Sequence, residues 1–195
     1  MLRFGSGRAR QDAGVAPATD RAAVEVIPMR RRHLKAVIAI EQRAFPSPWS
    51  LALYLSELAQ PTTRVYLVAR VGTEVVGYAG MLLIVDEGHV TTVGVAPDWQ
   101  RHGVGRRLML ALVREARKRG ARQLTLEVRF TNLGAQELYR QFGFAPAGIR
   151  KDYYAEVHED ALIMWAHDVD TDAYGDRLDA IEAGLGRASE EGGDR

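Results

Sequence analysis

The sequence predicts an α+β fold, in which a mixed, mostly antiparallel sheet of about seven strands carries helices on both faces. Three β-rich runs, at 64–71, 74–85 and 88–95, follow one another with only short turns between them, which favours antiparallel neighbours. Beyond residue 99, strands alternate with helical patterns, which favours a parallel pair and helices packed on the sheet. With 47% hydrophobic and 26% charged residues, the composition of this 195-residue chain is that of an ordinary globular domain.

In the first half, a strand at 22–28 precedes an amphipathic helix within 29–45, whose Glu41 lies in an otherwise apolar stripe. Ser50 is placed to cap a second helix that ends before Pro61, with Trp49 and Tyr54 at the positions of a hydrophobic staple. Glycine and threonine at 72–73 then turn one strand back on the next as a hairpin.

In the second half, a long helix begins near residue 104 and ends near Gly120, with five apolar residues along one side. A strand at 123–130, a short helix around Tyr139, and two last strands at 143–149 and 159–169 follow it. The five apolar residues are Leu108, Met109, Leu112, Val113 and Ala116.

The chain divides into three parts by composition. Residues 1–22 are predicted to be a flexible N-terminal tail, and residues 23–168 a single domain. Residues 169–195 are predicted to be a C-terminal tail, in which the stretch AYGDRLDAIEAGL can form a short amphipathic helix.

Composition also excludes several classes of function. No cysteine is present, which excludes disulfides, thiolate metal sites and a cysteine nucleophile. The net charge of +1 lacks the basic excess of a dedicated nucleic-acid binder, and the uncharged apolar run at 75–85 is far below the roughly 18 residues of a membrane span. We therefore expect a cytoplasmic protein with no metal site, no direct nucleic-acid partner and no membrane partner.

The stretch WQRHGVG, residues 99–105, leads directly into the long helix and is called the glycine turn below. The N–H groups at a helix N-terminus favour an anion, and Gly103 and Gly105 let it approach the backbone closely. Neither a Walker loop nor a dinucleotide fingerprint fits, because Arg106 follows Gly105 and Leu108 stands where the fingerprint needs a small residue. The residues predict a pyrophosphate cradle; a tight strand-to-helix turn without a ligand is the alternative.

The segment Gln100–Gly105 resembles the Gln/Arg-x-x-Gly-x-Gly/Ala signature of the GCN5-related N-acetyltransferases. The motifs LEVRFTNLGAQELYRQFGF, RKDYY and HEDALIM follow in the order expected for this family. The resemblance implies the family's fold and acetyl-coenzyme A as co-substrate. It implies that the diphosphate lies on the turn, the pantetheine arm and thioester along the preceding strand, and a side-chain amide beside them. These cofactor-binding residues would be Val93, Gly94, Val95, Arg101, His102, Gly103, Val104, Gly105, Arg106 and Asn132.

Transfer of an acetyl group to an amine needs a neutral amine and hence a proton acceptor. Strand alternation places Glu127 on the sheet face opposite Leu126, where a carboxylate is costly unless it has a partner or a task. The alternative is that Glu127 is a surface residue that forms an ion pair with Arg129. His89 is an alternative candidate for the base. The resemblance implies that Glu127 accepts the proton and that Tyr139 donates one to the departing thiolate. From its spacing alone, Tyr139 is also a core residue, and Asn132 is also suited to cap a helix.

For the acceptor, the resemblance implies a peptide slot flanked by the loops FPSPWS and KDYY, with Trp49 and Tyr153 at its sides. The alternatives are that Trp49 is only a hydrophobic staple residue and that Tyr153 is only a packed loop residue. The resemblance is nearest to members that acetylate the N-terminal alanine of a small-subunit ribosomal protein, which implies a protein N-terminus as substrate. A lysine or small-amine acetyltransferase and a non-catalytic coenzyme A-binding regulatory module are the competing hypotheses.

Overall fold

Seven strands form one sheet in the order β1-β2-β3-β4-β5-β7-β6 within the residues that the computed structural model describes, 24–45 and 47–190. The predicted N-terminal tail, residues 1–22, lies outside the described residues. The strands are β1 (Val24–Pro28), β2 (Arg64–Val71), β3 (Glu74–Ile84), β4 (Glu87–Val95), β5 (Gln123–Arg129), β6 (Ala145–Tyr154) and β7 (Glu159–Ala166). The α-helices are α1 (Leu34–Ala44), α2 (Leu51–Leu58), α3 (Val104–Lys118), α4 (Leu133–Gln141) and α5 (Asp172–Glu190).

Among these strands, β4 and β5 are parallel neighbours and the other neighbouring pairs are antiparallel. The parallel pair arises because α3 connects the two strands as a crossover. The predicted mixed, mostly antiparallel sheet of seven strands is therefore confirmed.

The two faces of the sheet carry different helices. On one face, α1 and α2 pack over the buried tyrosines Tyr54, Tyr66 and Tyr78; we call this the acceptor face. On the other face, the predicted stripe of α3 is buried against β2, β3 and β4, in the same core as the apolar residues of β5. Helix α2 begins as predicted, with Ser50 Oγ accepting from the Leu53 amide at 3.2 Å.

The prediction of a loop at KDYY was wrong, because these residues form the end of β6. Strand β6 lies at the edge of the sheet and is exposed along most of its length, so it shows no apolar alternation in the sequence. Its pairing with β7 shifts register between Arg150 and Tyr154, and Asp152 has a φ of 49° there. The strand therefore bends beside the end of β5.

Strands β4 and β5 separate halfway along their length. Their pairing covers only Glu87–Val90 against Gln123–Leu126, whereas β4 pairs with β3 as far as Val95. The β3–β4 register skips Thr91, so an extra residue bulges there and bends β4. The edge of Thr91–Val95 that faces β5 consequently has no strand partner among the described residues.

The segment predicted to be a C-terminal tail carries the 19-residue helix α5. Its Tyr174, Leu178 and Leu185 are buried in the same core as α3. On the surface, Arg114 of α3 binds Asp179 and Glu182, each at 2.8 Å. The apolar residues follow helical spacing, which explains why the segment docks rather than remaining free. No helix within 24–45 and 47–190 has both the length and the apolar character that a membrane crossing requires.

We expect Leu178→Ala to lower the free energy of unfolding by about 2–5 kcal/mol, because its side chain is 1% exposed and its removal leaves a cavity. Chemical denaturation measures the change. Leu51→Ala is the matched control, since Leu51 is 51% exposed and its removal should change stability by less than about 0.5 kcal/mol. Equal stability of the two variants would contradict a docked α5.

Candidate active site

A cleft of about 1230 Å³ opens where β4 and β5 separate. Its size exceeds the roughly 300–1,000 Å³ of most small-molecule pockets, so it has room for a long cofactor and a second substrate. All the predicted site residues except Tyr153 line this one cleft. These are Trp49, Val93, Gly94, Val95, Arg101, His102, Gly103, Val104, Gly105, Arg106, Glu127, Asn132 and Tyr139.

The glycine turn closes one end of the cleft at the N-terminus of α3. Gly103 is the residue before the helix and has a left-handed φ of 76°, and no side chain of residues 24–45 and 47–190 caps the first-turn amides. A Cβ added to Gly105 would lie 3.3 Å from Leu138 Cδ2, which leaves little space for a side chain. Unpaired helix N–H groups with arginines beside them suit an anion. The turn therefore fits a diphosphate.

The free edge of β4, residues Val93–Val95, forms one wall of the cleft. A Cβ on Gly94 would lie 2.5 Å from the ring and hydroxyl of Tyr78, so the site requires glycine. The peptide groups on this edge have no partner in β5, so they can bind an extended chain that carries amides. The pantetheine arm of coenzyme A is such a chain.

Glu127 of β5 lines the cleft and has two partners, one from the neighbouring strand β4 and one from the edge strand β6. Its Oε2 lies 2.6 Å from His89 Nε2, and its Oε1 lies 3.0 Å from a guanidinium nitrogen of Arg150. The hydrogen bond with His89 lowers the pKa of Glu127, with Arg150 adding to the effect, although burial opposes both. The side chain of Glu127 is 7% exposed, so its carboxylate is fixed by protein groups and largely shielded from solvent. It does not form the ion pair with Arg129 that was the alternative. The two candidate bases thus form one hydrogen-bonded unit.

Tyr139 reaches the cleft from α4. The centroid of its ring lies 6.1 Å from that of Phe144, so Tyr139 is also part of the hydrophobic core. Its hydroxyl makes no hydrogen bond to the residues that the structure describes, while the residue lines the cleft. Burial raises the pKa of Tyr139, and this keeps the phenol protonated at neutral pH. The hydroxyl is thus a donor without an acceptor among the described residues.

Asn132 and Trp49 each fulfil both of the roles considered for them. Asn132 caps α4, accepting from the Ala135 amide at 3.2 Å, and also lines the cleft. The ring of Trp49 lies 5.5 Å from that of Tyr54, as a staple requires, and it lines the cleft as well.

Tyr153 does not line the cleft; it is 46% exposed, and its ring lies 5.5 Å from the Arg150 guanidinium. Tyr154, the next residue, lines the cleft instead, because alternate strand residues face opposite ways. Sequence reasoning missed Arg150, Tyr154 and Glu41. For Glu41 a signal existed, since it is a carboxylate within an apolar helical stripe.

Charged side chains of both signs line the cleft. Arg101 and Arg106 lie at the glycine turn, and the other charged lining residues are Arg107, Arg129, Glu41, Glu127, Glu137 and Glu156. The arginines of the glycine turn favour an anionic group there. Within the described residues, no group of three or more histidine or acidic side chains is arranged to hold a metal ion.

An open sheet that parts between two parallel strands, with a turn suited to an anion and a buried carboxylate paired with a histidine, is the arrangement expected of an acyltransferase. The model of the acetyltransferase (GNAT) family matches residues 34–144, more than half of the chain. The chain therefore belongs to this family of N-acetyltransferases, which use acetyl-coenzyme A. The predicted family and enzyme class are confirmed.

Relatives and solved structures agree with this assignment. Over 137 residues, 70% of this chain, it is 37% identical to a Bacillus subtilis protein named putative [ribosomal protein bS18]-alanine N-acetyltransferase, of which it covers 91%. It is 38% identical over 133 residues to the [ribosomal protein bS18]-alanine N-acetyltransferase of Escherichia coli K12, covering 67% of this chain and 88% of that protein. The crystal structure of the ribosomal-protein-S18-alanine N-acetyltransferase from Escherichia coli is similar at a TM-score of 0.68, with 34% identity, covering 74% of this chain and 94% of that one.

Proposed function

We propose that this chain is an N-terminal protein acetyltransferase that transfers the acetyl group of acetyl-coenzyme A to the N-terminal alanine of a small-subunit ribosomal protein. The observation that carries the proposal is Glu127, which lies 2.6 Å from His89 Nε2 and lines the same cleft as the glycine turn, where a diphosphate would fit. The printed activity of the relatives supports the choice of acceptor. Such a reaction would take place in the cytoplasm, where ribosomal proteins are made.

Acetyl-coenzyme A would be held at three places. The amides of Gly103–Gly105, together with Arg101 and Arg106, would bind the diphosphate. The free edge of Val93–Val95 would pair with the pantetheine amides, and the Asn132 side chain would add a contact. Bound acetyl-coenzyme A supplies an acyl carbon already activated as a thioester.

Glu127 would accept the proton that the amine loses. A peptide α-amine has a pKa of about 7.7–8.0, so a usable minority is neutral near pH 7, and its remaining N–H becomes far more acidic as the new C–N bond forms. A carboxylate with a lowered pKa can accept that proton late in the step, directly or through a water. His89 and Arg150 would keep the carboxylate ionised and fix its direction.

Tyr139→Phe should lower kcat by about 100-fold, at the low end of what a general acid contributes, because the thiolate loses the phenol that protonates it. Thiol release with an Ala-starting peptide measures the rate. Phenylalanine keeps the packing against Phe144, so the melting temperature and coenzyme A affinity should be unchanged.

The matched control for this variant is Tyr174→Phe. Its hydroxyl donates to the Phe142 carbonyl, outside the cleft, so this variant should lose about 1 kcal/mol of stability and no activity. Equal rates for Tyr139→Phe and the wild type would remove Tyr139 from the mechanism.

The acceptor is tested with two peptides: one starting with a free alanine, and the same peptide with a blocked N-terminus and an internal lysine. A lysine amine, with a pKa of about 10.4, costs roughly 3–4 kcal/mol more to deprotonate than an α-amine. We expect acetyl transfer, followed by mass spectrometry, only at the free alanine. Transfer only to lysine would favour the lysine enzyme, and coenzyme A binding without transfer to any amine would favour the regulatory module.

A further inference from the structure

Glu41 is a buried carboxylate that the chemistry above does not use. It lies on α1 with 2% of its surface exposed, and it lines the cleft beside Phe45 and Trp49. A carboxylate is costly to bury unless a cation or several donors compensate it. Its position in the wall of the cleft therefore requires an explanation.

The compensation that the protein provides is incomplete. Oε1 accepts a hydrogen bond from the Tyr54 hydroxyl. Within the part of the chain that the structure describes, no lysine, arginine or histidine forms an ion pair with Glu41. By contrast, Glu127 has a histidine and an arginine as partners. Glu41 thus lacks the cation that a buried carboxylate usually has.

A second buried polar group, the Tyr78 hydroxyl, lies close to Glu41 and Tyr54. The Tyr78 hydroxyl is fully buried and makes no hydrogen bond of standard geometry. It lies against Gly94 on the cofactor strand, where an added Cβ would be 2.5 Å from the hydroxyl oxygen. Burial raises the pKa of Tyr78, and the nearby Glu41 carboxylate raises it further. Tyr54, whose ring centroid is 6.0 Å from that of Tyr78, connects the two groups.

Glu41 and Glu127 lie on the same face of the sheet. Helix α1 packs on the acceptor face, and Glu127 points away from the α3 face, where Leu126 and Val128 are buried. An amine that reaches the thioester along this face passes between the α1–α2 segment and β5. It arrives mostly as an ammonium ion near neutral pH.

We propose that Glu41, held by Tyr54, is the anionic subsite that binds the charged α-ammonium group of the acceptor before the amine attacks the thioester. This inference rests on the proposed function and assigns to Glu41 the recognition of a cationic acceptor. Glu41 binds the amine in its charged form. Loss of one proton to solvent then frees the neutral amine to attack the acyl carbon, and Glu127 accepts the second proton as the C–N bond forms.

The test uses the full chain saturated with coenzyme A, which cannot acetylate, and two probes measured by calorimetry. One probe is an Ala-starting peptide, and the other is the same peptide with a propionyl group in place of alanyl, which lacks the amine. We expect the wild type to bind the amine peptide at least tenfold more tightly at pH 7. In Glu41→Gln, which retains an acceptor for Tyr54, this preference should fall to near unity while coenzyme A affinity is unchanged.

A persistent tenfold preference in Glu41→Gln, or its absence from the wild type, would overturn the inference. If Glu41→Gln does not fold, the wild type can still contradict the inference, because its preference should decline as pH rises above the amine's pKa of about 8 and a pH-independent preference rules out an anionic subsite. Tyr54→Phe keeps the carboxylate and should retain a preference. Failure of the proposed function is distinguishable, since it appears as a wild type that acetylates no α-amine.

Discussion

Glu127→Gln is expected to lower kcat by about 10²–10⁴-fold, the range that a positioned general base contributes. The glutamine has the same shape and keeps a contact with His89, but it cannot accept a proton from the amine. Acetyl transfer to an Ala-starting peptide at saturating substrate measures the change. Because the His89 hydrogen bond lowers the pKa of Glu127, the wild-type carboxylate stays ionised through neutral pH. The deficit should therefore be similar from about pH 6 to pH 9.

Two comparisons separate proton transfer from other effects of this substitution. Coenzyme A affinity should be unchanged, because the diphosphate lies at the glycine turn. Glu25→Gln, a matched control, breaks an exposed ion pair with Arg70 at 2.7 Å and should leave kcat unchanged. Full activity of Glu127→Gln would indicate that His89, rather than Glu127, is the general base. In that event His89→Gln would show the large loss.

Local patterns in the sequence were sufficient for much of the fold and for the glycine turn. The stripe of α3, the Ser50 cap and the Trp49–Tyr54 staple depend on residues within two turns of one another, so spacing predicts them. Edge strand β6 was partly missed because exposed charged residues such as Lys151 and Asp152 give no alternation. The docking of α5 onto α3 is a long-range contact, which a helical pattern alone does not specify.

The contacts within the candidate site are also long-range, so the sequence predicts them even less well. Strand alternation places Glu127 on the correct face, but its partners come from β4 and β6, 38 and 23 positions away in the chain. Only the register of four strands, β4, β5, β7 and β6, brings His89 and Arg150 to the two carboxylate oxygens. Glu41 was visible as an anomaly within an apolar stripe, yet its relation to Tyr78 depends on the packing of α1 over β3. Sequence thus identifies the unusual residue, and the tertiary structure identifies what it can bind.

The second large effect is expected at the glycine turn, where Gly103→Val should raise the Kd of coenzyme A about 100-fold. Gly103 has a φ of 76°, and a β-branched residue is strongly disfavoured there. The first-turn amides would consequently lose their common direction. Two lost amide hydrogen bonds to a charged group, at about 1.5 kcal/mol each, correspond to roughly a 100-fold weaker complex. Calorimetry with coenzyme A measures the constant.

Gly120→Val provides the matched control, because Gly120 follows the other end of the same helix with a φ of 88° and open space around an added Cβ. At Gly103 an added Cβ meets only Leu185 Cδ2, at an ordinary 3.4 Å, so backbone strain is the main cost at both positions. The melting temperatures of both variants should therefore be lowered by similar amounts. Only Gly103→Val should lose coenzyme A affinity, since Gly120 lies away from the cleft. Equal affinities in the two variants would mean that the amides of the glycine turn do not bind the diphosphate.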